Sequence, residues 1–109
     1  MAAGGKITRK QAREWVARFR KENEGNPKVL YSETFDKDLI QELLNEPGCA
    51  GIRIFNSIDD EGQLQFILVG VDKKGKNILP ANDESTTDPE LIVEWGQRCP
   101  PICNDENDL

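Results

Sequence analysis

Histidine is absent from this chain. That removes the commonest general base at neutral pH and every Ser–His or Cys–His nucleophile pair, so hydrolase triads are excluded. Cysteine is scarce too: three residues, an odd number, are too few for a disulfide-stapled secreted scaffold. No run approaches the ~18 apolar residues of a membrane span, and the opening Met1-Ala2-Ala3-Gly4-Gly5-Lys6 lacks the apolar stretch of a signal peptide. The expected location is therefore the cytoplasm. No glycine-rich turn leads from a strand into a helix, which leaves nucleotide binding unsupported. Large core side chains are few: four Phe, two Trp and one Tyr in 109 residues. A chain of this size buries roughly two-thirds of its unfolded surface and holds one modest core. Residues 1–103 are expected to form a single domain, with 104–109 as a disordered tail.

What is present begins with charge. The net charge is -6, but residues 1–28 carry eight Lys/Arg against three Asp/Glu, and residues 80–109 carry Arg98 alone against eight acids. The basic end should lie near the acidic end of its own chain, lowering self-repulsion.

Thr8 and Gln11 make a capping box, and Ala12, Trp15, Val16 and Phe19 follow at helical spacing. This predicts an amphipathic helix ending near Gly25, with Trp15 in the core and Arg9, Lys10, Arg13, Arg20 and Lys21 as a basic flank. The flank reads as a solvated face, and the acidic balance argues against nucleic acid. Val29-Leu30-Tyr31 suits a short extended piece. Asp36 then caps a second helix through Leu39, Ile40, Leu43 and Leu44, with Phe35 and Ile40 as a hydrophobic staple and Glu46-Pro47-Gly48 as its stop.

From Gly51 the period changes to two. Ile52, Ile54 and Ile58 share one face, Asp59-Asp60-Glu61-Gly62 turns the chain, and residues 63–72 form the most apolar strand, expected at the centre of the sheet. A second turn at Asp72-Lys73-Lys74-Gly75-Lys76 leads to a short third strand at Asn77-Ile78-Leu79. Asp59, Asp60, Glu61 and Asp72 do not match the spacing of an EF-hand loop and read as solvated turns. Residues 80–88 are a polar loop. Asp88-Pro89 starts well as a helix over 89–95, although Ile92-Val93 would also suit a strand. The fold class is α+β: a small antiparallel meander of about three strands, two N-terminal helices packed on one face, and a short C-terminal helix or strand.

The concentrated chemistry is Cys99-Pro100-Pro101-Ile102-Cys103. Two prolines stiffen the segment and remove two backbone donors. The pair could form a disulfide, could bind zinc with Cys49 as third ligand and a carboxylate as fourth, or could be buried small residues pinning the tail; redox chemistry of the Cys-x-x-Cys type does not fit the spacing.

The segments Gly51-Ile52-Arg53-Ile54-Phe55, Asp59-Asp60-Glu61-Gly62-Gln63-Leu64, Val69-Gly70-Val71-Asp72-Lys73-Lys74-Gly75-Lys76-Asn77-Ile78 and Cys99-Pro100-Pro101-Ile102-Cys103 together resemble a family of small bacterial proteins with no assigned activity. The resemblance implies that hairpin and tail belong to one architectural unit. The leading functional expectation is a non-catalytic protein that binds a basic protein partner through Asp83, Glu84, Asp88, Glu90 and Glu94, in an immunity or antitoxin-like role. The alternative is a thiol-based metal or redox protein built on Cys99, Cys103 and Cys49.

Overall fold

The computed structural model describes residues 3–86, 89–103 and 109. The chain is α+β, with two helices and antiparallel sheets. Helix α1 spans Arg9–Glu22, and its capping box forms: Thr8 Oγ accepts from the Gln11 N–H at 3.1 Å, and Gln11 Oε1 from the Thr8 N–H at 3.3 Å. Helix α2 spans Lys37–Leu44; Asp36 sits at its N-cap but, against expectation, its side chain makes no capping hydrogen bond, and the helix stops before Pro47 and Gly48, whose φ of 79° only glycine adopts freely.

Strand β2 (Cys49–Ile58) pairs with β3 (Leu64–Asp72) from Gly51↔Val71 to Ile58↔Leu64. The two turns of the meander are copies of each other. Asp59 Oδ1 accepts from the N–H groups of Glu61 and Gln63, and Asp72 Oδ1 from those of Lys74 and Lys76, all at 2.9 Å. Gly62 and Gly75 supply the left-handed residue, at φ 80° and 82°. These donors hold both aspartates below the ordinary carboxylate range, chiefly through the Gln63 and Lys76 N–H groups.

The far edge of β3 is assembled from four unlike pieces. Strand β4 (Asn77–Ile78) pairs at Gly70 and Val71, and strand β5 (Ile92–Val93) pairs at Leu68 and Val69. The chain then leaves β3, and β6 (Gln97–Cys99) pairs instead with β1 (Ser32–Thr34) in a separate two-stranded ribbon. Side chains of that ribbon finish the edge. Glu33 and Arg98, partners across β1 and β6, reach β3 as a strand would: Glu33 Oε1 accepts the Phe66 N–H at 2.8 Å, and Arg98 Nε donates to the Leu64 carbonyl at 2.9 Å.

The core lies between α2 and the sheet. Leu43, Leu68 and Val93 are buried together, with Phe35, Ile40, Ile52, Phe66 and Leu91 packed around them. Phe35 and Ile40, the expected staple pair, each pack against this cluster. Above Gly70 sits the carboxyl of Glu46: a Cβ there would lie 2.7 Å from Glu46 Oε1, so a larger residue would have to displace that carboxyl. Glu46 is buried, and its Oε2 accepts the Leu91 N–H at 3.0 Å. Burial pushes its pKa up and the charge of Glu90 adds to this, against the Leu91 hydrogen bond, which lowers it.

Three expectations are corrected. Trp15 is not core: it is 53% exposed, and no residue of α1 is buried. The helix touches the sheet side lightly, through an edge-to-face contact of Phe19 with Tyr31 and through Arg20 lying 4.6 Å over the Tyr31 ring. Periodicity reveals an apolar stripe but not whether anything covers it. Second, residues 92–93 are strand, because pairing with β3 outweighs the Asp-Pro helix start. Third, the N-terminal extended segment pairs at Ser32–Thr34 rather than at residues 29–31, since the register of β6 sets it; Val29 and Leu30 are buried just before it. Of the expected disordered tail, residues 104–108 lie outside the described residues. The Leu109 main-chain oxygen accepts from Arg9 of α1.

Candidate functional site

Cys99 and Cys103 form a disulfide, with Cα atoms 4.8 Å apart. Cys99 is buried in β6, where its carbonyl accepts the Tyr31 N–H at 2.8 Å, and Ile102 N–H closes the loop onto the Arg98 carbonyl at 2.8 Å. Cys103 is exposed. Cys49 is elsewhere, at the start of β2 beside Gly70, its thiol donating to the Gly51 carbonyl at 3.3 Å. The three cysteines are not brought together. Among the described residues no group of three or more His, Cys, Asp or Glu side chains is placed to hold a metal ion, and sulfurs bonded to each other offer no thiolate to zinc.

The five acids expected on one binding face are dispersed. Asp83 and Glu84 are exposed on the loop after β4, and Asp83 lines a cleft with Glu90, Leu91 and Ile92. Glu90 is half-buried. Asp88 lies outside the described residues. Glu94 is a different case, for its half-buried carboxyl meets that of Glu33. Burial first, and then the hydrogen bond and charge of Glu33, push Glu94 up to about 7. It is thus not displayed as a plain surface charge. Glu33 in turn accepts from Gly96 N–H at 3.0 Å, while Glu94 Oε1 accepts from Trp95 N–H at 2.7 Å.

These bonds hold Trp95, the residue the sequence reading missed. It has φ of 67°, a left-handed conformation that a bulky residue seldom adopts, and it is 81% exposed. An exposed indole on a backbone fixed from both sides is unusual, since strained residues persist only where their surroundings over-determine them. Trp95 separates two clefts. One is lined by Phe35, Asp36, Leu39 and Gln97. The other, of about 370 Å³, is lined by Asp59, Asp60, Glu61, Gln63 and Gln65. Gln65 is 5% exposed; its Nε2 donates to Asp59 Oδ2 at 3.0 Å and its Oε1 has no partner. One sequence signal pointed here: Gln65 is the polar residue on the strand face that also carries Ile67, Val69 and Val71.

The Glu33–Glu94 pair makes stability depend on pH in a definite direction. The folded pKa of Glu94 lies above its ordinary value of 4.5. The protonated carboxyl therefore favours folding, fully below pH 4.5, and this contribution is lost as pH rises through about 7. Asp59 and Asp72 act oppositely but lose their contribution only as pH falls below their ordinary 3.8. The melting temperature should accordingly fall between pH 5.5 and 8. Glu94→Gln, which keeps a donor for Glu33, should flatten that fall. Thermal melts across the interval decide it, and an unchanged slope in the variant would remove the pair from the account.

Comparison of the chain with protein-family models, with curated proteins and with solved structures gives no match.

Proposed function

We propose that this chain is a non-catalytic module that binds a basic protein partner, in an immunity or antitoxin-like role. The observation that carries the reading is Trp95, exposed and fixed by Glu94 and Glu33 between two clefts that both carry carboxylates. Interfaces draw most of their affinity from a few anchors, of which tryptophan is among the commonest, with charges around them setting partner choice and encounter rate. Asp83 and Glu84 are further exposed acids, on a loop that lines neither of these clefts. The chain's net charge of -6 keeps nucleic acid away and attracts cations.

The tagged protein, used as bait in cells of its source, should retain one stoichiometric basic protein seen by native mass spectrometry. Capture should weaken as salt rises from ~50 to ~300 mM, as screening requires. It should weaken also in Asp83→Asn/Glu84→Gln. Capture indifferent to salt and to both substitutions would sink the acidic-surface reading.

The alternative is a thiol-based metal or redox protein, whose chemistry would require the Cys99–Cys103 disulfide to open. Cys99→Ser/Cys103→Ser separates the two: a binding module that still folds keeps its partner, and a thiol protein loses its activity.

A further inference from the structure

We infer that the cleft between Trp95 and the turn joining β2 to β3 receives one arginine side chain of the partner, an inference that rests on the protein-binding reading above. Three features of the cleft specify its occupant. Asp60 and Glu61 are exposed, and among the described residues no hydrogen bond uses their carboxylates, whereas Asp59 is occupied by its own turn and by Gln65. The two open carboxylates call for positive charge. The indole of Trp95 calls for a flat cation, which stacks on an aromatic face more completely than a compact ammonium does.

The third feature is Gln65. Asp59 Oδ2 accepts from its Nε2 at 3.0 Å, which fixes the orientation of the amide and leaves Oε1 as the end without a partner. Oε1 has no donor within the chain and is closed to solvent, so an N–H donor entering the cleft that Gln65 lines would complete it once the amide shifts toward the opening. A guanidinium meets all three demands, with several donors in one plane to share among Gln65, Asp60 and Glu61. An ammonium meets two of them, and an anion none. A metal ion does not fit the arrangement, because no three acids of the described residues converge on a point.

The chain's own cations nearby do not fill the role. Arg98 is committed to Leu64 O and Gln63 Oε1, and Lys28 to Gly62 O. Both line a second cleft with Pro100 and Pro101, which shares only Glu61 and Gln63 with the first.

The test uses the full chain and three small probes: N-acetyl-arginine amide, N-acetyl-lysine amide and N-acetyl-citrulline amide, the last a neutral near-isostere of the first. In nitrogen-15 correlation spectra, Trp15→Phe identifies the Trp95 indole N–H and Gln65→Met the Gln65 side-chain amide. The arginine probe should shift both signals saturably, the lysine probe should bind ~10-fold more weakly, and the citrulline probe should leave them in place. The response should vanish in Asp60→Asn/Glu61→Gln and in Trp95→Ala with the remaining spectrum dispersed as before. Equal shifts with arginine and citrulline, or no saturable shift at Trp95 and Gln65, overturn the inference, and neither result depends on a variant folding. A partner captured by the native chain and equally by Asp60→Asn/Glu61→Gln removes the arginine site while leaving the protein-binding reading intact.

Discussion

Gly96→Ala should cost about 3 kcal/mol or more of folding free energy, a large part of what a domain of this size has in reserve. Gly96 has no unusual φ, so space and not conformation is what it supplies. A Cβ there would stand 2.7 Å from Glu33 Cγ, 2.8 Å from the Thr34 carbonyl oxygen and 2.9 Å from Glu33 Oε2. The first two belong to the root of a side chain and to the backbone, neither of which can swing aside. Making room means pushing β1 away from the β5–β6 junction. Glu33 would then lose its bonds from Gly96 N–H at 3.0 Å and Phe66 N–H at 2.8 Å. Unmade hydrogen bonds of buried groups cost about 1–3 kcal/mol each. Urea denaturation provides the measurement, with Gly5→Ala as control, since nothing lies within 4 Å of a Cβ at that position. A midpoint for Gly96→Ala equal to that of the control would show the junction to be looser than these distances require.

Leu43→Ala should cost 2–5 kcal/mol, about what removing a large buried aliphatic side chain costs elsewhere. Leu43 is 0% exposed and sits at the centre of the small cluster that joins α2 to Leu68 and Val93. The core is small because large apolar residues are few, and more than a dozen of those present are exposed, Trp15, Ile54 and Ile58 among them. Helix α2 has 8 residues, far below the length at which a helix is stable in water without packing. Its neighbour Leu44 is 45% exposed, so Leu44→Ala should cost under ~1 kcal/mol. Equal denaturation midpoints for the two variants would place the core elsewhere.

The parts legible from sequence were those whose causes are local. A capping box, a staple and two Asp-x-x-Gly turns each act within five residues, and α1, α2 and the β2–β3–β4 meander stand where these signals put them. Strand β5 was legible only as the strand option for Ile92-Val93 and β6 not at all, because two or three residues carry almost no pattern and their partners lie 23 to 67 residues away in sequence. The disulfide was among the options the proline-stiffened segment left open; that β6 would pair with β1 was not. Trp95 read as the end of a helix, and nothing local announces a left-handed tryptophan. The acids looked like one surface because they are close in sequence, yet Glu94 turns against Glu33 while Asp83 and Glu84 face solvent.

The far edge of β3 is closed by two short strands and two side chains, and on that ground the molecule is expected to open in stages. The meander is joined by consecutive hairpins, whose contacts are close in sequence and re-form quickly after any fluctuation. The ribbon of β1 and β6 brings together segments far apart in the chain, and its main-chain ties to the sheet pass through Glu33 and Arg98. Loss of those two ties lets the ribbon lift while β2 and β3 remain paired, a partial opening well below the cost of global unfolding. Trp95 stands at the hinge of that opening, so a partner that grips it would also fasten the ribbon to the sheet.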